Sequence, residues 1–177
     1  MREDVDRERL RRFLDELGRT FRRPARLYLS GGEGIVWRGL RATTRDIDVA
    51  YEVDPAFHDE WVRVLVTLKE SLRVNVEEAQ PSDFVPLPPG SEGRAEFVGR
   101  FGSVDVFLTD PYAVAIAKLE RGSARDLADV RARLGAGVVD AVRAAELLEQ
   151  AIAADARPRV RFDPARVRRN LVAVTAS

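Results

Sequence analysis

Apolar residues in the first twenty positions recur every three or four: Leu10, Phe13, Leu14 and Leu17, with arginines and acids between them. That spacing predicts an amphipathic opening helix, with Gly18 placed to end it. "ARLYLSGG" then reads as a short strand running into a glycine turn, and "EGIVWRGL" as a helix leaving that turn. In "RDIDVAYE", Asp46, Asp48 and Ala50 alternate with Ile47, Val49 and Tyr51, the period of a strand. Pro55 marks a helix start, and Phe57, Trp61, Leu65 and Leu68 form the apolar stripe of the helix that follows.

"RVNVEEA" predicts another strand, and "QPSDFVPLPPGSEG", rich in proline and glycine, a surface loop. "RAEFVGRFGSVDVFLTD" predicts one or two further strands, with the turn between them unplaced. Beyond it the pattern is helical: a start at Pro111, a second cap at Ser123, the run "DAVRAAELLEQAIAA", and a last helix from Asp163 and Pro164. The expected fold is α/β (α+β), a small mixed sheet flanked by helices. Residues 1–110 would form the α/β core with its N-terminal helix, and residues 111–177 a helical part packed on that core.

At 177 residues, 45% hydrophobic and 33% charged, the chain fits a soluble globular domain, or one with a small appendage. The formal net charge is zero, so any nucleic-acid or membrane contact must come from a local patch. Cysteine is absent and His58 is the sole histidine, which excludes thiolate sites, disulfides and zinc sites built from several histidines. The charged N-terminus has no signal-peptide core and no run reaches the ~20 apolar residues of a membrane span. The cytoplasm is the expected location.

Three features point to chemistry. Gly31 and Gly32 stand between a strand and a helix, where a backbone free of Cβ atoms lets a ligand approach closely and amides can meet phosphate. Asp46 and Asp48 point to the same side of one strand. They are either a solvent-facing acidic edge or a pair of hard oxygen ligands for a divalent cation such as magnesium. In "SVDVFL", Asp105 again inserts an acid into apolar alternation. A third carboxylate on a neighbouring strand would complete a two-metal site for phosphoryl transfer.

Taken in order, Gly31-Gly32, Asp46-Ile47-Asp48 and Val104-Asp105-Val106 resemble the signature of the nucleotidyltransferase superfamily. "GLRATTRDID" is similar to the Arg-x-Thr-Thr-x-Asp-x-Asp run of small bacterial nucleotidyltransferase-like proteins, including AbiEii-type toxins and related toxin–antitoxin transferases. "AIAKLERGSARDLADV" resembles their later helical segment, so the likeness spans residues 27 to 130. It implies a nucleotidyltransferase-like mixed sheet, with Asp46, Asp48 and Asp105 as catalytic and metal-binding acids for Mg2+ or Mn2+. It further implies that Ser30, Gly31, Gly32, Arg41, Thr44, Lys118 and Asp126 bind the nucleotide. Glu33, directly after the glycines, departs from that pattern by putting negative charge where phosphate would come. The "PSDFVPLPPGSEG" excursion has no counterpart in it.

Several of these residues have plain structural readings. Asp126 completes a capping box with Ser123, Lys118 borders an apolar helical stripe, and Arg45 suits solvent as well as phosphate. Trp37 and Trp61 read as core aromatics and His58 as a surface residue. The arginines at 157, 159, 161, 166, 168 and 169 form either a solvated helix face or an RNA-contact patch. The implied activity is metal-dependent transfer of a nucleoside monophosphate from a nucleoside triphosphate to an acceptor hydroxyl. The acceptor would be a tRNA 3′ end, another RNA, or a protein such as an antitoxin partner. The alternative is a non-catalytic nucleotide- or partner-binding module on the same fold.

Overall fold

A computed structural model describes residues 3–155 and 162–176. Chain contacts divide it into two compact units, Met1–Gln80 with Glu96–Leu108, and Pro81–Ala95 with Thr109–Ser177. The proline- and glycine-rich excursion therefore belongs with the C-terminal helices and carries little regular structure beyond single 3-10 turns.

In the first unit, α1 (Arg7–Thr20) starts at Asp6, whose carboxylate accepts from the Arg9 amide at 2.8 Å. It buries Leu10, Phe13, Leu14 and Leu17, as the spacing requires. It does not stop at Gly18. A Cβ on Gly18 would lie 2.3 Å from the carbonyl carbon and oxygen of Phe101, so this glycine serves close packing rather than helix termination. The strands are β1 (Ala25–Leu29), β2 (Asp46–Val53), β3 (Asn75–Glu78), β4 (Glu96–Phe101) and β5 (Val104–Leu108). A one-turn helix α2 (Glu33–Trp37) follows β1, and α3 (His58–Ser71) joins β2 to β3.

The sheet runs β3-β2-β1-β5-β4. β1 is antiparallel to β2 and parallel to β5, β2 is parallel to β3, and β4 and β5 form an antiparallel hairpin turning at Gly102 and Ser103. One face of the sheet carries Leu27, Leu29, Ile47, Val49, Val104, Val106 and Leu108. These pack into one core with the apolar faces of α1 and α3, where Trp61 meets Phe21 edge to face at 4.8 Å. The strict alternation of β1, β2 and β5 sends Arg26, Tyr28, Asp46, Asp48, Ala50, Glu52, Asp105 and Phe107 to the opposite face.

The second unit is helical: α4 (Pro111–Arg121), α5 (Ala124–Gly135), α6 (Ala141–Ala154) and α7 (Pro164–Thr175). Each starts at a side-chain cap: Asp110, Ser123, Asp140 and Asp163. Gly122, at φ +67°, makes the left-handed turn that ends α4. Ile116, Leu119, Val130, Leu148, Val167 and Leu171 build a separate core. No helix among the described residues is long and apolar enough to cross a membrane.

Candidate functional site

The Gly-Gly turn, the Asp-x-Asp strand and the intervening segment converge at one end of the open sheet face. Ser30 is buried and its amide donates to the Asp48 carbonyl at 2.9 Å, which holds the turn against β2. A Cβ on Gly31 would sit 1.8 Å from Asp48 Oδ2 and 2.9 Å from Glu33 Oε2. Glycine is required at 31 because these two carboxyl groups crowd its α-carbon. At Gly32 a Cβ would lie 2.1 Å from Arg41 Nη2 and 2.6 Å from Thr44 Oγ1. Arg41 is steered there by its own bond to the Thr43 carbonyl at 2.8 Å, and Thr44 by backbone pairing with Val5. Ser30, Gly31, Gly32, Arg41, Thr44 and Asp48 are thus brought together, although fourteen positions separate Ser30 from Thr44.

Register decides which acid accompanies Asp46 and Asp48. Along the β2–β3 ladder Asp46 is level with Asn75 and Asp48 with Glu77. The Asn75 Nδ2 donates to Asp46 Oδ1 at 2.7 Å and to Glu77 Oε1 at 2.6 Å, linking the strands through their side chains. Asp105 stands elsewhere. It is level with Arg26 on β1, four residues from Ser30 and two strands from β2. At ~3.3 Å per residue and ~4.8 Å per strand, its backbone lies about 16 Å from that of Asp48. Its carboxylate pairs with Arg100 at 2.6 and 3.0 Å, and that hydrogen bonding holds it below the ordinary carboxylate range. Asp105 shares a face with the acid pair but not a site, because same-phase alternation says nothing of distance along the strand.

Glu33 is the member that composition and spacing did not assign. It is fully buried, and its Oε1 accepts from the Gly31 amide at 2.5 Å while Oε2 has no hydrogen-bond partner. Burial first, and the nearby Asp48 charge second, push its pKa up from 4.5 to about 8. A carboxyl so placed holds its proton at neutral pH.

Hard oxygen donors are the correct chemistry for magnesium or manganese. Asp46, Asp48 and Glu77 supply them across two adjacent strands. Among the described residues no group of three or more such side chains stands close enough together to hold a metal ion. The Asn75 amide occupies the space between Asp46 and Glu77. The donor set would suit a hard divalent cation only if that amide moved aside.

Lys118 and Asp126 lie in the second unit and face each other. Lys118 Nζ reaches Asp126 at 3.1 Å and Asp129 at 2.7 Å, and all three side chains are buried. Burial alone would raise the Asp126 pKa. Hydrogen bonds from Arg121, Ser123 and Lys118 outweigh it and hold the carboxyl well below the usual range. Ser123 caps the Asp126 amide at 3.1 Å, so the capping reading of Asp126 is the one seen. Lys118 is paired with both carboxylates. The C-terminal arginines are likewise paired: Arg168 with Glu149 at 2.7 Å, Arg166 with Glu120 at 3.6 Å, Arg169 with Asp163 at 3.7 Å. Those at 157, 159 and 161 lie outside the described residues.

The model of one protein family, described as a nucleotidyltransferase of unknown function (DUF6036), matches residues 8–172. The chain belongs to that family. Neither the curated proteins nor the solved structures contain a match. The mixed five-stranded sheet flanked by helices agrees with a nucleotidyltransferase-like fold, and the DUF6036 match takes in both units.

Proposed function

We propose that this DUF6036 chain is a metal-dependent nucleotidyltransferase whose acidic cluster is Asp46, Asp48 and Glu77. The observation that supports it most is the β2–β3 register, which sets Glu77 level with Asp48 beside the Gly31 cradle. In this reading the three carboxylates hold Mg2+ or Mn2+, which would neutralise triphosphate charge and lower the pKa of the attacking hydroxyl. The turn Ser30-Gly31-Gly32, with Arg41 and the Thr44 hydroxyl, receives the triphosphate.

The acceptor hydroxyl oxygen bonds to the α-phosphorus as the α–β bridging P–O bond breaks, and pyrophosphate leaves with that electron pair. The hydroxyl proton passes to a carboxylate oxygen of Glu77, which is solvent-exposed and can release it. Arg41, beside the Gly32 turn, would balance charge on the departing pyrophosphate. The resemblance to AbiEii-type transferases makes a toxin–antitoxin role and an RNA 3′ end or protein acceptor part of the same proposal.

Glu33 favours a second reading, a module that keeps the fold without transfer. Its carboxyl already takes the Gly31 amide that a phosphate would use. Thermal-shift titration with each nucleoside triphosphate, with and without magnesium, followed by release of pyrophosphate, separates the two. Magnesium-dependent stabilisation with pyrophosphate release supports the enzyme, and stabilisation without release supports the module. No stabilisation by any triphosphate contradicts the enzyme and a nucleotide-binding module alike.

A further inference from the structure

One row beyond the acid pair, the open sheet face changes character. Ala50 on β2, Tyr28 on β1, Phe107 on β5 and Phe97 on β4 are level with one another across four strands. Tyr28 stacks on Phe107 with centroids 5.3 Å apart and planes 22° apart, and Phe107 meets Phe97 at 5.3 Å. None of these rings belongs to the apolar core beneath the sheet, and Phe97 is 56% exposed. Three contacting rings outside that core form a shelf, half-buried at Tyr28 and Phe107 and exposed at Phe97, and Ala50 keeps its end nearest Asp48 free of bulk.

The next row is polar on every strand: Glu52, Arg26, Asp105 and Arg100. Arg26 pairs with Glu52 at 3.3 Å and Arg100 with Asp105 at 2.6 Å, so the row is charge-balanced. The Tyr28 hydroxyl donates to Glu52 at 3.0 Å, tying the shelf to this border. The same row borders a cavity of about 610 Å3. A flat, uncharged ring with hydrogen-bonding edges suits this sequence of surfaces. A polyanion does not, since neither arginine offers an unpaired charge.

We propose that the shelf Ala50–Tyr28–Phe107–Phe97 seats the nucleobase of the nucleoside triphosphate. This rests on the reading of the acid pair as the phosphate and metal site. By the same spacings Ala50 lies about 7 Å from Asp48, Tyr28 about 8 Å, Phe107 about 12 Å and Phe97 about 16 Å, so the sugar would carry the base onto Tyr28 and Phe107, with Phe97 bordering its outer edge. Stacking on rings is tolerant of base identity, because every base has a π-face. Discrimination falls to the edge, where Glu52 and Arg26 meet the base.

The test compares two probes in magnesium, a nucleoside triphosphate and inorganic tripolyphosphate, by calorimetric titration of the full chain and of F97A, F97W and F107L. Phe97 is exposed, so F97A keeps the fold, which circular dichroism checks. The expected result is that F97A and F107L weaken the nucleoside triphosphate about tenfold and leave tripolyphosphate unchanged, while F97W restores binding. Equal affinity of the full chain for both probes, or an unchanged ratio in both F97A and F107L, overturns the shelf and leaves the phosphate site standing. If neither probe binds the full chain, the phosphate site fails and the shelf with it.

Discussion

Replacing Glu33 with glutamine tests the most unusual group in the site. In the folded chain its carboxyl has a pKa of about 8, against 4.5 when exposed. Below pH 4.5 the group is protonated in both folded and unfolded states and contributes nothing to the pH dependence. As pH rises past 4.5 the unfolded chain releases this proton while the folded chain keeps it until about 8. The folded state then binds more protons, so stability falls across that window and levels off above it. The difference of about 3.5 pH units, at 1.36 kcal/mol each, amounts to as much as about 5 kcal/mol. Glu33→Gln keeps an oxygen for the Gly31 amide and supplies an NH2 where Oε2 has no partner, without any proton to lose. Urea unfolding of both chains between pH 4.5 and 9 measures the difference. The wild type should lose stability relative to the variant from pH 4.5 to 8, with no further loss above. A pH-independent difference refutes the buried, protonated carboxyl, and a wild type that gains on the variant as pH rises would make Glu33 a paired carboxylate instead.

Gly31→Ala should displace the Asp48 carboxylate and weaken magnesium-dependent triphosphate binding at least tenfold, with little change in the urea midpoint, because the added methyl meets a side-chain oxygen. Gly18→Ala should instead destabilise the fold by about 2 kcal/mol or more in urea unfolding, despite alanine's helix preference, since its methyl meets the backbone of Phe101. Lys118→Met should cost about 3–5 kcal/mol by the same measurement, because it leaves Asp126 and Asp129 buried without their shared cation. Changing Arg168 to alanine should not alter the salt dependence of RNA binding in a filter assay, because its guanidinium is already held by Glu149 in two hydrogen bonds.

Local pattern made much of this molecule legible. The apolar spacing of α1 and α3, the alternation of β2, and the caps at Ser123 and Asp163 each depend on neighbours a few residues away, and each element formed where its pattern stands. Gly18 shows where such reasoning fails: its packing partner is eighty-three residues distant, so nothing nearby distinguishes a helix stop from a close approach. The acid cluster shows the same limit. Asp46 and Asp48 are visible because they sit on one strand. "SVDVFL" flanks its acid with valines and "RVNVEEA" ends its alternation on two acids, and only strand order and register choose between Asp105 and Glu77. β3 borders β2 directly, whereas β5 borders β1 with Asp105 at the opposite end. Glu33 was visible as a misplaced negative charge, but its burial beside Asp48 follows only from the folded turn.

The most direct test of the proposed site is the magnesium-dependent affinity for a nucleoside triphosphate, measured by calorimetry in the wild type, E77Q and D105N. A site built from Asp46, Asp48 and Glu77 predicts that E77Q loses at least tenfold in affinity while D105N binds as the wild type does. Loss in D105N with full binding in E77Q would contradict it.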